Sequence, residues 1–199
     1  MILYLQTAGI FLGSYLVGCF CSAYYLVLWR TGQDLRCLHS GTLGARNCGR
    51  VLGPWAFIVS LAVDVSKGVL AVYVAQSLLP ESSLTHMVAV FGVLLGHVYP
   101  LQLGFEGGKG VSVMIGSLLW LNPLALLVIG VVAGLTLAAF RRSSQAMILA
   151  IVALPIASII LFEDRIYAYG FSIIAVSILF FHKKNISDII KLHGFNKTG

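Results

Sequence analysis

Apolar residues fill seven long segments of the chain, and short polar turns separate one segment from the next. An α-helix rises about 1.5 Å per residue, so about 20 apolar residues cross the hydrocarbon core of a membrane. Most of the segments approach or exceed that length. We predict spanning helices over approximately residues 2–29, 54–79, 86–103, 111–121, 124–140, 146–162 and 166–181.

Composition supports the same fold class. Of the 199 residues, 59% are hydrophobic and only 10% are charged, and the mean hydropathy is +0.95. Soluble domains carry about 25% charged residues. The sequence therefore predicts an all-α integral membrane protein with seven transmembrane helices. We expect one domain over residues 1–199, because the longest polar stretch is only about 30–53. The first segment is interpreted as a retained helix and not as a signal peptide.

The basic residues predict the orientation. Cytoplasmic loops of membrane proteins are enriched in Lys and Arg. All thirteen Lys and Arg residues except Lys67 and Arg165 fall in the loop 30–53, the stretch 96–110, the turn 141–144 or the C-terminal tail. These regions alternate with the predicted spans so that all lie on one side. We therefore expect the N-terminus outside, the C-terminus in the cytoplasm, and no nucleic-acid partner for the net charge of +6.

The fourth predicted helix, 111–121, is short. Eleven residues cover only about 16 Å, which is roughly half of a bilayer. The glycine loop before it, defined here as residues 100–110, must then dip into the membrane. Irregular backbone at that depth is tolerated only where it lines a polar cavity. The length of this helix therefore predicts a functional site at the glycine loop.

The residues of the glycine loop suit a phosphate group. Gly107, Gly108 and Gly110 allow backbone N–H groups to face an oxyanion, and Lys109 adds a positive charge. The loop is not a nucleotide P-loop, because Leu103 stands where the first glycine of that motif would be and no Ser or Thr follows the lysine. The alternative is a tight interhelical turn whose lysine marks the cytoplasmic side.

Three further polar stretches are predicted on the same side. The predicted loop 30–53 combines glycines with Ser40, Asn47 and Arg50, which is typical equipment for binding phosphate, and its residues 32–44 are called the first loop here. The other two stretches supply Ser144 after the fifth segment, and His182 and Asn185 in the tail. Each stretch alone is a weak signal. Together they predict a cradle for one or two phosphate groups at the membrane surface and a lipid-headgroup substrate.

Two charged residues lie inside the second apolar segment. Asp64 and Lys67 are three positions apart, on one helical face, and charges at that depth pair or face the bundle interior. A structural ion pair is the interpretation we favour. Small residues along the first segment are expected to allow close packing of a neighbouring helix; they are Gly9, Gly13, Ser14, Gly18 and Ser22. The four cysteines show no metal-binding spacing, and we expect reduced thiols and no metal.

The motifs resemble the bacterial acyl-phosphate:glycerol-3-phosphate acyltransferases, the PlsY family of small seven-helix membrane enzymes. The resemblance covers almost the whole chain. The matching positions are Gly13, Ser14 and Gly18 in the first segment; Ser40, Gly41, Gly44, Ala45, Asn47, Arg50 and Gly53 in and after the first loop; Asp64, Lys67 and Gly68; Gly96, His97, Tyr99, Pro100, Phe105, Gly107, Gly108, Lys109 and Gly110; and Ser144, His182, Asn185 and Ile186.

The chain also departs from the family pattern. His39 replaces a glycine, Thr42 an asparagine and Arg46 a threonine. Glu106 stands where the family usually has a basic residue, and Asp188 stands where it has an arginine. Glu106 and Asp188 lower the positive charge near the expected site, whereas Arg46 keeps the loop suited to phosphate. They leave open a divergent paralogue with altered substrate preference or reduced activity.

The resemblance implies transfer of a fatty acyl group from acyl phosphate to the 1-hydroxyl of sn-glycerol 3-phosphate, giving lysophosphatidic acid and phosphate. It implies phosphate binding by Ser40, Asn47, Arg50, Gly107, Gly108, Lys109, Ser144, His182 and Asn185. Ser40, Arg50, His97 and Lys109 are the expected catalytic residues. His97 acts either as general base or by orienting the glycine loop, and a phosphate oxygen of the donor is the alternative base. We expect no cofactor, a monomer in the bacterial plasma membrane, and an active site that faces the cytoplasm.

Two alternatives from other classes remain at this stage. The chain could be an anion-binding membrane transporter, since a half-length helix and a mid-membrane ion pair occur in such proteins. It could also be an inactive paralogue that binds lipid phosphate. The H-x-x-x-x-D acyltransferases use a histidine that is followed five residues later by an aspartate. None of the five histidines in this chain has an aspartate at that position, so the sequence excludes that chemistry.

Overall fold

The computed structural model describes residues 1–183, and within that range all regular structure is helical. The described residues fall into two compact units, which meet between Leu121 and Asn122 in the sequence. The first unit contains α1 (Ile2–Cys19), α2 (Ser22–Thr31), α3 (Ala45–Leu52), α4 (Pro54–Leu78), α5 (Ser83–Val98) and α6 (Val111–Leu121). The second contains α7 (Pro123–Phe140), α8 (Ser143–Leu161) and α9 (Arg165–Phe181). The expectation of a single domain stays a prediction.

The apolar helices of the described chain lie at the predicted apolar segments. Five stretches of the described chain are long and apolar enough to cross a membrane: Ile2–Thr31, Pro54–Leu78, Ser83–Leu103, Pro123–Phe140 and Ser143–Leu161. The two shorter apolar helices are α6 and α9. The all-α membrane fold and the short helix at residues 111–121 are therefore confirmed, and α9 is a second short helix. That all seven segments span the membrane stays a prediction.

The first predicted helix is wrong in one respect, because it is two helices. The chain leaves α-helical geometry at Phe20 and Cys21 before α2 begins. A second difference lies in the loop after α2, where the structure contains the short helix α3. This helix is amphipathic. It buries Asn47 and Cys48 and exposes Arg46 and Arg50.

Local sequence explains where several helices begin. Gly53 has φ near +92°, a value that favours glycine, and Pro54 then provides the first residue of α4. Ser82 accepts a hydrogen bond from the Thr85 amide at the start of α5. Asn122 accepts one from the Ala125 amide at the start of α7.

In the first unit, α1 packs along α5 and α4 packs along α6. Small residues allow both contacts. A Cβ at Gly96 would overlap the Tyr15 carbonyl oxygen of α1, and a Cβ at Gly116 would overlap the Val65 carbonyl oxygen of α4. Gly18 packs as predicted, since a Cβ there would overlap α5. Gly9 and Gly13 have no heavy atom within 4 Å of an added Cβ, so the packing role expected of them is wrong.

A cluster of buried apolar residues supports the two polar loops of the first unit. Its members come from α2, the first loop, α3, α4 and the glycine loop; they are Cys21, Ala23, Val27, Leu35, Leu43, Cys48, Ala56 and Leu103. Leu35 and Leu43 belong to the first loop, and Leu103 belongs to the glycine loop. The two loops therefore share one hydrophobic base, which fixes them relative to each other.

Candidate phosphate-binding site

Asn47 holds the first loop together. Its side chain is 1% exposed, and its Nδ2 donates to the carbonyl oxygens of Leu35, Leu38 and Thr42 at 3.0–3.2 Å. Its Oδ1 accepts a hydrogen bond from the Ser40 amide at 3.2 Å. The amide is therefore used by the loop backbone. This geometry favours a positioning role for Asn47, whose predicted contact with phosphate stays a prediction.

His39 and Gly41 give the first loop its turn. Both have positive φ, near +46° and +68° respectively. Glycine adopts such values without strain, whereas a residue with a Cβ does not. This conformation agrees with the glycine that the family pattern of the resemblance has at position 39. The next residue, Ser40, is exposed, and its hydroxyl lies 3.1 Å from the Thr42 hydroxyl.

The glycine loop folds back onto the end of α5. The Gly108 amide donates to the His97 carbonyl oxygen at 3.0 Å. A Cβ at Gly107 would overlap that same oxygen, and a Cβ at Gly108 would overlap the His97 imidazole. Lys109 follows these two glycines and is half-buried, and Gly110 precedes the first residue of α6. Glycine is required at Gly107 and Gly108 because no space exists for a side chain.

The two loops are joined by hydrogen bonds. The Leu43 amide of the first loop donates to the Gly107 carbonyl oxygen at 3.4 Å. The Arg36 guanidinium donates to the Leu103 carbonyl oxygen at 3.0 Å and lies 3.4 Å from the Glu106 carboxylate. The predicted association of the two polar stretches is therefore present in the first unit.

Arg36 was not singled out from the sequence, yet its side chain connects the first loop to the glycine loop. Asp34 accepts from its guanidinium at 2.6 Å, and the Tyr24 ring lies 5.7 Å from the guanidinium carbon. The hydrogen bonds from Arg36 hold the pKa of Asp34 below its ordinary value, and those to Asp34 raise the pKa of Arg36. Both groups therefore stay charged at neutral pH.

Arg50 and Lys109 belong to two different elements, α3 and the glycine loop. Arg50 lies in the last turn of α3, on its exposed face. Arg46 precedes it by one turn on the same face, so this short helix presents two guanidinium groups to solvent. Arginines on a helix of this kind suit the recognition of a phosphate group.

Asp64, Lys67 and His97 form a buried polar cluster behind the glycine loop. The Lys67 ammonium lies 2.7 Å from the Asp64 carboxylate and 3.5 Å from Nδ1 of His97. All three residues are at most 5% exposed. The predicted ion pair is therefore present. Its contact with the imidazole was not predicted.

The break between α1 and α2 completes this cluster. At the break, the Tyr24 amide bonds to the Cys21 carbonyl oxygen, and the Phe20 carbonyl oxygen accepts from Lys67 Nζ at 2.7 Å. The Cys19 carbonyl oxygen accepts from the Gln102 side chain of the glycine loop. Side-chain donors thus replace the helical partners that the break removes. No proline marks this position in the sequence.

The remaining predicted residues lie in the second part of the chain. Ser144 is half-buried in the first turn of α8. His182 ends α9, is 2% exposed, and places Nδ1 2.8 Å from the Ile178 carbonyl oxygen. Asn185 and Asp188 lie outside the described residues. The phosphate-binding roles of Ser144, His182 and Asn185 stay predictions.

Comparison with known proteins agrees with this chemistry. The family model for glycerol-3-phosphate acyltransferase matches residues 8–192. Glycerol-3-phosphate acyltransferase 1 of Desulfitobacterium hafniense (strain Y51) is 38% identical over 181 residues, which cover 90% of this chain and 88% of the relative. Glycerol-3-phosphate acyltransferase of Neisseria meningitidis serogroup C is 33% identical over 181 residues, which cover 89% of this chain and 90% of the relative.

Solved structures show the same fold. The crystal structure of PlsY, an integral membrane glycerol 3-phosphate acyltransferase, in its glycerol 3-phosphate form matches with a TM-score of 0.87 at 24% identity, covering 94% of this chain and 92% of that one. Its lysophosphatidic acid form matches with a TM-score of 0.84 at 22% identity and the same coverage. With the family match across nearly its whole length and relatives above 30% identity, the chain belongs to the glycerol-3-phosphate acyltransferase family of integral membrane enzymes.

Proposed function

We propose that this enzyme transfers a fatty acyl group from acyl phosphate to the 1-hydroxyl of glycerol 3-phosphate and releases lysophosphatidic acid and phosphate. The observation that carries the proposal is the joining of two loops suited to phosphate. The Leu43 amide bonds to the Gly107 carbonyl oxygen, and Arg36 bonds to the Leu103 carbonyl oxygen. Phosphate-binding groups of both loops can therefore act on one bound substrate pair.

The substrate phosphates would be held at the start of α6 and on the first loop. The first N–H groups of α6 lack partners within the helix and favour an anion. Lys109 stands immediately before that helix end and supplies a positive charge. Ser40 and Arg50 offer a hydroxyl and a guanidinium from the facing loop and from α3. Positioning and charge neutralisation are the main contributions that such a reaction needs from the protein.

The donor is a mixed anhydride, so the protein need not supply a nucleophile. The 1-hydroxyl oxygen attacks the carbonyl carbon of the acyl phosphate and forms the ester bond. The bond between that carbon and the phosphate oxygen breaks, and phosphate leaves with the electron pair. The hydroxyl proton must go to a base in the same step.

The position of His97 supports a phosphate oxygen of the donor as that base. The residue is 2% exposed, Nδ1 faces Lys67 and Asp64, and the other edge of the ring contacts Gly108. An imidazole held on both edges within the protein is suited to orienting the glycine loop. The leaving phosphate, in contrast, lies next to the attacking hydroxyl by the nature of the reaction.

An apolar groove in the first unit suits the acyl chain. It has a volume of about 460 Å³ and is lined by α1 and α4, where Gly9, Gly13 and Ser14 face Leu70, Ala71 and Val74. Gly9 and Gly13 keep it open because they lack side chains. Leu70 lies one helical turn from Lys67, so the groove runs away from the buried cluster along the helices. Apolar surface of this kind is the usual environment of a bound hydrocarbon chain.

We also propose that the seven apolar segments span the bacterial plasma membrane, with the N-terminus outside and the site facing the cytoplasm. The loops that would then be cytoplasmic contain all the Lys and Arg residues except Lys67 and Arg165. That asymmetry is the established determinant of topology. Labelling of single cysteines at Glu81 and Thr42 from either side of sealed vesicles tests it.

The decisive experiment compares acyl donors. Purified protein is incubated with labelled glycerol 3-phosphate and either acyl phosphate or acyl-CoA. We expect labelled lysophosphatidic acid from acyl phosphate only, and at least a tenfold loss in the Lys109→Ala and Arg50→Ala variants, the scale expected for removing one charged contact. An Arg165→Gln variant serves as control because that arginine is the first residue of α9, in the second unit. Product from acyl-CoA alone would overturn the proposed donor.

A further inference from the structure

We propose that Asp64, Lys67 and His97 act as a positioning relay that sets the conformation of the glycine loop from inside the helix bundle. The inference rests on the proposed function only in assigning phosphate binding to that loop. The relay connects three elements, because Asp64 and Lys67 belong to α4, His97 belongs to α5, and the imidazole contacts the loop at Gly108.

The anchor of the relay is the Lys67 ammonium. It lies 2.7 Å from the Asp64 carboxylate and donates to the Phe20 carbonyl oxygen at 2.7 Å. Asp64 is 1% exposed and Lys67 is 5% exposed. A buried charge requires such partners, and the break between α1 and α2 frees the Phe20 carbonyl oxygen for this contact. The position of the ammonium is therefore determined by α4 and by the break between α1 and α2.

The imidazole of His97 transmits that position. Its Nδ1 lies 3.5 Å from Lys67 Nζ and 3.7 Å from the nearer Asp64 oxygen. The opposite edge of the ring stands against Gly108, where an added Cβ would overlap Nε2 and both adjoining carbons. The ring thus fills the space between the ion pair and the loop, and a change in its tilt must move the Gly108 backbone.

Gly108 is the point at which movement matters most. Its amide bonds to the His97 carbonyl oxygen at 3.0 Å, and Lys109 is the next residue. The preceding residue, Gly107, accepts the hydrogen bond from the first loop. A shift of this turn therefore displaces the lysine and weakens the connection between the two loops. A displacement of about 1 Å can reduce catalysis about 100-fold.

A double variant, Asp64→Asn with Lys67→Met, tests the relay because it removes both charges together and leaves neither buried alone. We expect the purified variant to keep its helical content and to show a KM for glycerol 3-phosphate raised about 10- to 100-fold. We also expect faster hydrogen exchange over residues 100–110 than in the native protein, and unchanged exchange in α7. Native KM together with native exchange in the loop would overturn the relay.

The control is Thr85→Val. The Thr85 hydroxyl is buried, lies 3.0 Å from the Thr7 hydroxyl, and belongs to the opposite end of α5. Its loss should lower the melting temperature without changing KM or exchange in the glycine loop. If the double variant behaved in the same way, its charges would be merely structural and the relay would be wrong.

A further variant tests the contact itself and does not depend on the ion pair. Gly108→Ala should raise KM at least about tenfold, because its Cβ overlaps the imidazole. Native KM in Gly108→Ala would overturn the relay. If the native protein transferred no acyl group from acyl phosphate, the proposed function would fail, while the exchange measurements would still test the relay.

Discussion

The Arg36 guanidinium of the first loop donates to the Leu103 carbonyl oxygen of the glycine loop at 3.0 Å. Asp34 fixes the guanidinium from one side, and Glu106 approaches it from the other at 3.4 Å. Glu106 departs from the family pattern of the sequence resemblance, which has a basic residue at this position. In this chain its negative charge is matched by Arg36, so the departure supports the connection between the two loops.

Replacing Arg36 by glutamine should separate the loops. A hydrogen bond from a charged donor is worth about 1.5–3 kcal/mol, which corresponds to at least a tenfold change. We expect kcat/KM for glycerol 3-phosphate to fall by at least that factor. Glu106→Gln is the matched control. The Glu106 side chain is 71% exposed, and exposed ion pairs contribute at most about 1 kcal/mol, so less than a fivefold effect is expected. Equal effects of the two variants would contradict this assignment.

Acid should weaken the first loop through Asp34. Hydrogen bonds from Arg36 lower the pKa of the Asp34 carboxyl from its ordinary value of 3.8 in the folded state. Ionisation of this carboxyl therefore stabilises the folded state relative to the unfolded state. That contribution is complete above the unfolded pKa and is lost as the pH falls through the lowered folded value. The melting temperature of native protein should therefore exceed that of Asp34→Asn at neutral pH, and the difference should shrink below about pH 4. A difference that persists at lower pH would contradict the mechanism.

The sequence predicted the helix bounds well where the length of an apolar segment and the polar residues at its ends determine them. The bounds of α4, α6, α7, α8 and α9 differ from expectation by a few residues at most. Prolines and glycines at the turns mark where these helices begin and end, and they do so without any contact to other elements. Helix α3 was missed because its glycine and arginine content is typical of a loop. A usable signal was the helical spacing of Ala45, Cys48 and Leu52, with Arg46 and Arg50 four positions apart.

The break at Phe20 could not be predicted in the same way, because its cause lies elsewhere in the chain. Lys67 and Gln102 provide the donors that compensate the freed carbonyl groups. For the same reason, the sequence identified Asp64, Lys67 and His97 separately but did not bring them together. Contacts between elements determine these features, whereas the sequence pattern reports mainly on each element alone.

Asn47 and Ser40 should respond differently to replacement by alanine. Replacing Asn47 removes the side-chain N–H groups that donate to three carbonyl oxygens of the loop. Each buried carbonyl group left without a hydrogen-bond partner lowers the free energy of unfolding by about 1–3 kcal/mol. We expect Asn47→Ala to lower stability by more than about 2 kcal/mol and to lower activity with it. Ser40→Ala should change stability by less than about 0.5 kcal/mol, because its side chain is exposed, while reducing activity. Thermal unfolding and acyl transfer, measured on the same preparations, distinguish the two roles.

The groove between α1 and α4 predicts control of acyl chain length. A side chain at Gly13 meets no atom within 4 Å, so leucine there should be tolerated by the fold and should occupy the groove. We expect Gly13→Leu to lower kcat/KM for long-chain acyl phosphates at least about tenfold relative to short-chain donors. Leu12→Phe is the control, because Leu12 is exposed and does not line the groove. Equal losses for all chain lengths would show that the groove does not hold the acyl chain.

His39 provides a test of backbone strain in the first loop. Its φ near +46° lies in the left-handed region, which costs a residue with a Cβ about 1–2 kcal/mol relative to glycine. The His39→Gly variant should therefore be more stable than His39→Ala by about 1 kcal/mol, measured by thermal unfolding. The same pair of changes at Arg46 should give the opposite order, because glycine is about 1 kcal/mol less favourable than alanine inside a helix. If alanine and glycine were equivalent at position 39, the turn would not require positive φ. The departure from glycine at this position would then lack a conformational explanation.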